Sequence, residues 1–584
     1  MPSRMGAVHV ATTTRKYKGK VYQTTLLRRT YRQDGKVKHQ TLGNISHLPP
    51  NLIDIIRRGL RGELGDPGAG WDIVRSLPHG HVAAVLGTLQ NIGLDRVLLT
   101  RRCRPRDIIC ALIVSRIIEP ASKLATTRFL KTETATTSLP VELGLDGLRQ
   151  GEVYEAMDWL LQRQRRIENK LARTHLAEGV LVLYDVSGSY CTGRWGGVVR
   201  FGHHRDGKRG VPQIVYGLLC NGEGCPVSVE VFDGDTSDPM TFTRQVEKIR
   251  KRFGIERVVF VGDRGMITSA RIEEDLRPVE GLDWITALRC AGIRKLASEG
   301  VVNPSLFDQR DLAEVTSPDY PGERLIVCRN PLLAVERSRK RDELLAATEQ
   351  KLDAIVEATR RPRRPLKGAA GIGVRVGRVL NQYKVGKHFG LHIGEDHFRY
   401  HRHEEKIKQE AALDGLYVIR TSVPTPSMSS ESAVRAYKSL SRVERAFRCL
   451  ETLDLPIRPI HHRLDDRIGA HVFLCMLAYY VEWHMRSKLA PILFDDHEKG
   501  QAEGQRQSIV APAPRSGAAQ KKDRSKRTED DYPGHSFRSV LQDLGTLAKN
   551  RVRIRESGDE FYLNTTPTPG QAHALQLLGV GLTA

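Results

Sequence analysis

Two short apolar runs constrain this chain more than anything else in it. Val180-Leu181-Val182-Leu183-Tyr184 and Val258-Val259-Phe260-Val261-Gly262 are uninterrupted, and each is followed directly by an aspartate, Asp185 and Asp263. A strand with one wet face alternates apolar and polar residues, so continuous runs of this length read as strands buried on both faces. Residues 213–219 and 227–232 read as two more strands around the turn Asn221-Gly222-Glu223-Gly224. Asp238-Pro239 opens a helix over 241–253, residues 268–276 read as a second helix, and 284–288 as a strand. The order strand, hairpin pair, helix, strand, helix, strand predicts an α/β fold, a mixed sheet flanked by helices. Both aspartates end a buried strand, where open α/β sheets place their sites.

A third carboxylate stands on a later helix. Val434, Tyr437, Leu440, Val443, Phe447 and Leu450 recur at steps of three and four and predict one helix over 433–451. Glu444 projects inside that apolar face, which is costly unless something pairs with it. It is either a residue at the stripe edge that reaches water or a metal ligand. Divalent Mg²⁺ or Mn²⁺ prefers carboxylate oxygens. A pair of such ions, roughly 3.5–4 Å apart, activates an attacking oxygen and stabilises a leaving one at phosphorus. Asp185, Asp263 and Glu444 on rigid elements suit that task. An aspartate at a strand end also serves as a capping or turn residue, so spacing alone leaves both readings open.

The rest of the chain fits around this unit. Residues 1–65 read as a basic hairpin module for DNA contact, with strands over 22–33 and 36–42 flanking Asp34-Gly35. Arg15, Lys16, Lys18, Lys20, Arg28, Arg29, Arg32, Lys36 and Lys38 charge it, and a short helix over 52–60 follows. Residues 66–175 are a helical region, 176–290 the first part of the core, and 291–430 an inserted subdomain. The insertion is predicted to carry a charged helix over 334–359 and strand-like stretches over 374–383 and 416–421. Residues 431–494 hold the Glu444 helix and an apolar core helix, 495–534 a flexible linker, and 535–584 a small segment with a helix and a hairpin.

The chain has 584 residues and a formal charge of +23, from 91 Lys plus Arg against 68 Asp plus Glu. Such an excess suits a polyanionic partner, DNA or RNA, or an anionic membrane. No apolar run reaches the ~18 residues a membrane span needs. No signal-peptide pattern opens the sequence. The nine cysteines form no CxxC pair and read as reduced thiols of a cytoplasmic protein, suggesting neither a disulfide framework nor a zinc site.

Three segments resemble the catalytic motifs of DDE transposases: Tyr184-Asp185-Val186-Ser187, Val261-Gly262-Asp263-Arg264-Gly265-Met266, and Tyr437 through Arg448. The resemblance is to bacterial insertion-sequence enzymes of the IS-four superfamily, nearest the insertion sequence sixteen-thirty-four branch. It extends from about residue 15 to about residue 490 and includes the stretches 116–125, 232–238 and 414–421. It implies an RNase H-like catalytic core interrupted by a β-containing insertion. It also implies Mg²⁺-dependent cleavage at element ends, strand transfer into target DNA, and a homodimer on paired ends, with the protein nucleoid-associated when bound. The family's third motif reads Tyr, Arg three later, Glu four after that and Lys seven further on. Tyr437 and Glu444 keep that spacing, whereas Leu440 stands for the Arg and Glu451 for the Lys. Glu451 is expected near the helix end as a solvated carboxylate.

The candidate site is therefore Asp185, Asp263 and Glu444, as catalytic residues and metal ligands. Tyr437, Lys438, Arg445, Arg448, Arg264, Arg194 and Arg463 are the candidate DNA contacts. Arg463, Arg467 and His471 share a helix face if that helix begins early enough. Trp195 beside Arg194 is placed to stack on a base, or is a core residue. His203-His204 read as solvated loop residues before they read as ligands. Two rival functions remain, a catalytically inactive DNA-binding descendant of a transposase and an RNase H-like nuclease with no mobile element.

Overall fold

The computed structural model describes residues 8–17, 20–33, 36–61, 70–193, 196–202, 210–302, 307, 311–451, 455, 457–458, 460–496, 498, 508–510, 515–555 and 557–582. The described residues of Met1–Leu77 and Ala548–Thr565 form one compact unit, and those of Pro78–Leu547 and Thr566–Thr583 another.

In the smaller unit, β1 (Val8–Tyr17), β2 (Lys20–Gln33) and β3 (Lys36–Asn44) form an antiparallel sheet in that order. Gln33 pairs with Lys36, the register of a two-residue hairpin; the turn residues Asp34 and Gly35 lie outside the described residues. β1 is additional to the two expected strands. Its Thr12-Thr13-Thr14 run is β-branched but lacks the apolar alternation that marks a strand in sequence. A helix, Pro50–Leu60, follows with proline at its first position. The unit also holds a second sheet, built from β4 (Trp71–Pro78) and two strands near the other end of the chain, Ala548–Ile554 and Glu560–Asn564. The predicted C-terminal hairpin thus groups with the N-terminal residues.

The larger unit is built on β5 (Val180–Tyr190), β6 (Gln213–Asn221), β7 (Pro226–Phe232), β8 (Val258–Val261), β9 (Leu282–Ala287), β10 (Leu312–Val315) and β11 (Arg324–Arg329). A small pair, β12 (Phe389–Ile393) and β13 (Phe398–Arg402), stands apart, and β14 (Leu416–Thr421) rejoins the large sheet. The eight strands run β10-β11-β14-β9-β8-β5-β6-β7. β5, β8 and β9 are parallel, and the other pairs antiparallel. Three strands of the 291–430 segment therefore extend the sheet built by the strands before it. Glu323, fully buried, fastens that extension. It accepts from Arg420 Nε at 2.6 Å, from Arg277 at 3.2 Å and from Trp284 Nε1 at 3.3 Å. A buried carboxylate is tolerated only with such complete pairing.

Two other expectations change. Residues 374–383 belong to a helix, Ala369–Tyr383, and not to a strand. Ile372 and Val376 are buried one turn apart, so helical spacing overrides the β-branched composition. Within the expected linker, Gly517–Ser525 is a helix. Its Lys522 is buried and donates to the carbonyls of Leu493 at 2.6 Å and Asp495 at 3.0 Å.

The sheet is covered on both faces, as its apolar strands require. On one face Phe242, of the helix Asp238–Glu247, packs against Tyr184 and Phe260. On the other, Phe447 packs edge-on against Tyr216 at 5.6 Å. The helix Asp465–Leu489, buried nearly all round, packs against β7 and the helices Gln150–His175 and Arg104–Ile118. No described helix is long and apolar enough to cross a membrane.

Candidate active site

The parallel pairing of β5 with β8 sets the first two carboxylates. Val180 to Leu183 pair in register with Val258 to Val261. Carried two residues further, that register brings Asp185 level with Asp263. The strand does not end at Asp185 as expected. It continues to Tyr190 because β6 stays paired with it as far as Tyr190–Gln213, while β8 stops at Val261. Asp185 thus stands where the parallel neighbour gives out and the sheet edge opens. Its Oδ1 accepts the Val186 N–H at 2.8 Å. Asp263 is exposed, and its Oδ1 accepts the N–H groups of Gly265 at 2.9 Å and Met266 at 2.8 Å. A Cβ at Gly265 would lie 3.2 and 3.4 Å from the two Asp263 oxygens, so glycine there leaves the carboxylate its space.

The Glu444 segment is two helices, Ser430–Lys438 and Leu440–Glu451, and not one. Ser429 Oγ caps the first by accepting the Ser432 N–H at 3.2 Å. At Ser439 the hydroxyl donates to the Ala436 carbonyl at 2.6 Å, a local bond that competes with helix continuation. The second helix buries Val443, Ala446, Phe447 and Leu450, and Glu444 is exposed at the edge of that face. The wheel extrapolated from Val434 and Tyr437 does not hold across the break, which corrects the expectation of a carboxylate inside the apolar stripe.

Glu444 and Asp263 line one cleft of about 900 Å³, together with Tyr437, Arg435, Lys438 and Arg442. The Tyr437 phenol is pushed up to about 12. Burial is the largest cause; the negative charges of Asp263, Glu444 and Asp185 add to it, and Arg264 opposes. Tyr437 therefore stays protonated as a donor at neutral pH.

The basic candidates divide. Arg264, Arg448 and Arg463 are exposed. Lys438 Nζ donates to the carbonyls of Ile509 and Val510 at 2.7 and 2.8 Å, and Arg445 pairs with Asp495 at 2.7 Å. Arg194, with Trp195 and His203-His204, lies outside the described residues. The proposed face of Arg463, Arg467 and His471 does not form. The helix starts at Asp465, Arg467 lies over the Tyr154 ring, and His471 is buried against the Ile457 carbonyl. Arg435 and Arg442, which the sequence reading passed over, are cleft residues. The signal was available, since each stands two residues before a motif residue, Tyr437 and Glu444.

Glu451 is not solvated. Its side chain is 12% exposed. Oε1 accepts from Ser187 Oγ and from Tyr216 Oη, the latter at 3.1 Å, and Arg458 reaches Oε2 at 3.4 Å. Ser187 is two residues beyond Asp185 on the same strand face. Glu451 therefore ties the helix to the strand that carries Asp185.

Comparison with known families gives two matches. The family described as "Transposase DDE domain" matches residues 193–481, which takes in Asp263 and Glu444 and begins just past Asp185. The family "IS1634 family transposase, N-terminal domain" matches residues 10–65. No curated protein matches. A solved structure, a piggyBac transposase synaptic complex with hairpin DNA, aligns over 80% of this chain and 76% of that one. Its identity is 9% and its TM-score 0.33, too low to compare the two architectures. The two family matches together span more than half of the chain, and the chain belongs to the DDE transposases, on the IS1634 branch.

Proposed function

We propose that Asp185, Asp263 and Glu444 are the catalytic carboxylates of this transposase and hold a pair of Mg²⁺ ions, with Mn²⁺ as a substitute. The observation that carries the assignment is geometric: the parallel register of β5 with β8 carries Asp185 level with Asp263, and Asp263 shares one cleft with Glu444. The donor set fits a hard cation, being carboxylate oxygen throughout. When bound, such ions activate an attacking oxygen and stabilise a leaving one at phosphorus. The chain's own groups position the DNA. The Asp263 carboxylate is fixed by two backbone N–H groups, so it keeps its orientation as a phosphate approaches. Neutral Tyr437 donates to a phosphate oxygen. Arg435 and Arg442 offset phosphate charge along the cleft, with exposed Arg264, Arg448 and Arg463 extending that track and Arg194 assigned to it from sequence.

The order β7-β6-β5-β8-β9, three antiparallel strands followed by two parallel ones, supports an RNase H-like core with residues 291–430 inserted after its last strand. The reaction is cleavage at the element's terminal repeats and strand transfer into target DNA, carried out by a homodimer on paired ends. Residues 1–65 contact the terminal repeats.

The test is Asp185→Asn and Asp263→Asn, assayed on terminal-repeat DNA in Mg²⁺. Each is expected to lower cleavage by about three orders of magnitude or more, while end binding, which depends on dispersed basic contacts, stays within a few-fold. Near wild-type cleavage by either variant overturns the assignment.

A further inference from the structure

Three side chains from three separate elements converge outside the cleft. His175 ends the helix Gln150–His175, Cys225 lies between β6 and β7, and His484 is on the helix Asp465–Leu489. One imidazole nitrogen from each histidine and the Cys225 sulfur all lie within 4.8 Å of one another, the one such trio among the described residues. The residues are far apart in sequence, so no ligand spacing betrays them. Cys225 is fully buried. His484 Nε2 is shut off from solvent with no hydrogen-bond partner among the described residues. An imidazole nitrogen left that way is costly, and a metal bond satisfies it.

The chemistry of the donors selects the ligand. Two imidazoles and a thiolate are softer than the carboxylates of the cleft and favour Zn²⁺ over Mg²⁺. A neutral imidazole offers a ring-nitrogen lone pair to such a cation. The fully buried Cys225 bonds the metal through its sulfur as the thiol proton leaves to solvent. Tyr480 Oη sits 2.8 Å from His175 Nε2 and its ring packs against His484 at 4.7 Å, the kind of second partner that orients a ligating imidazole. Zn–N and Zn–S bonds of ~2.0–2.3 Å place tetrahedral ligands about 3.5 Å apart, and the three donor atoms lie within 4.8 Å of one another before any ion is bound.

We propose that His175, Cys225 and His484 form a second cation site, for Zn²⁺ or a similarly thiophilic divalent ion, with water in the fourth position. Its place suggests what it does. The ion would clip the turn between β6 and β7 to two helices. That same turn supplies the Gly222 carbonyl to Arg442 of the Glu444 helix, and a Cβ on Gly224 would meet the Arg442 side chain at 2.8 Å. Occupancy would hold the turn on which the Glu444 helix rests.

The full chain, stripped with a chelator and kept in excess Mg²⁺, is titrated with Co²⁺. The expected result is a near-ultraviolet thiolate-to-cobalt band with visible d–d bands, saturating at one ion per chain and bleached by Zn²⁺. Cys225→Ser should lose the near-ultraviolet band, and His484→Ala should weaken binding by about tenfold or more, both with unchanged circular dichroism. A folded wild-type chain with no such band at saturating Co²⁺, or a band that persists in Cys225→Ser, overturns the site. Neither result bears on the carboxylate cleft, because carboxylate-bound Co²⁺ gives no thiolate band.

Discussion

Glu444 and Glu451 are seven residues apart on one helix, so they point nearly the same way about 10 Å apart along its axis. Their surroundings assign them different work. Glu444 is exposed in the cleft beside Asp263, whereas Glu451 is enclosed by Ser187, Tyr216 and Arg458. Glu444→Gln is nearly isosteric and is expected to lower Mg²⁺-dependent cleavage by about three orders of magnitude with an unchanged melting temperature. Glu451→Lys is expected to lose cleavage for another reason. It breaks the Ser187 and Tyr216 bonds and buries a cation beside Arg458, a cost of about 3–5 kcal/mol that a lowered melting temperature reports. The cost follows from the enclosure of Glu451, which the sequence reading placed near the helix end as a solvated carboxylate. Cleavage and thermal unfolding measured on both variants separate the roles; a stable, active Glu451→Lys enzyme would show that the buried network is dispensable. The motif spacing singles out Glu444 as the candidate. It could not show that Ser187 and Tyr216, over two hundred residues away, had enclosed the acid that stands in the family's lysine position.

At the scale of elements, the buried strands were legible because continuous apolar runs have few alternatives. β14 was legible as a strand over 416–421, but β10 and β11 were not, nor was the place of all three in the sheet, because that place depends on long-range pairing and on the buried Glu323 contacts. The core helix Asp465–Leu489 was legible as apolar, but the polar contacts at its start were not. There His471 sits 3.3 Å from Lys123 Nζ and its ring lies 5.1 Å from that of His462. Burial, with the charges of Lys123 and Arg116, holds His471 well below its usual range and His462 near 4. The folded state therefore binds fewer protons than the unfolded state once the pH drops below the ordinary histidine value. The stability of this junction is fully present above pH about 6.5 and is lost as the pH falls toward about 4, at up to about 1.4 kcal/mol per pH unit for each histidine. Melting temperature is expected to fall across that window, and His462→Gln should flatten the slope by about one proton. An unchanged slope in that variant would mean His462 does not titrate with folding.

At the scale of the whole molecule, the charge of +23 makes DNA affinity steeply salt-dependent whatever the sequence bound. What separates element ends from other DNA must lie in a particular unit, and residues 1–65 are the candidate. They contain all of the β1–β3 sheet and the Pro50–Leu60 helix, so their removal takes out whole elements and leaves the eight-stranded sheet of the larger unit intact. Arg15, Lys16, Arg32, Lys36 and Lys38 are exposed on those strands. Phosphate contacts alone would supply affinity without sequence information, whereas contacts to base edges would discriminate. Deleting residues 1–65 is expected to weaken binding to terminal repeats by at least about tenfold more than binding to random DNA of equal length. It should also lower the slope of log K against log salt by about 0.9 for each phosphate that the shortened chain leaves unneutralised. Binding to both DNAs measured over a salt series distinguishes the outcomes. Equal weakening on both would make the unit a source of charge only, and unchanged binding to both would remove it from the DNA interface.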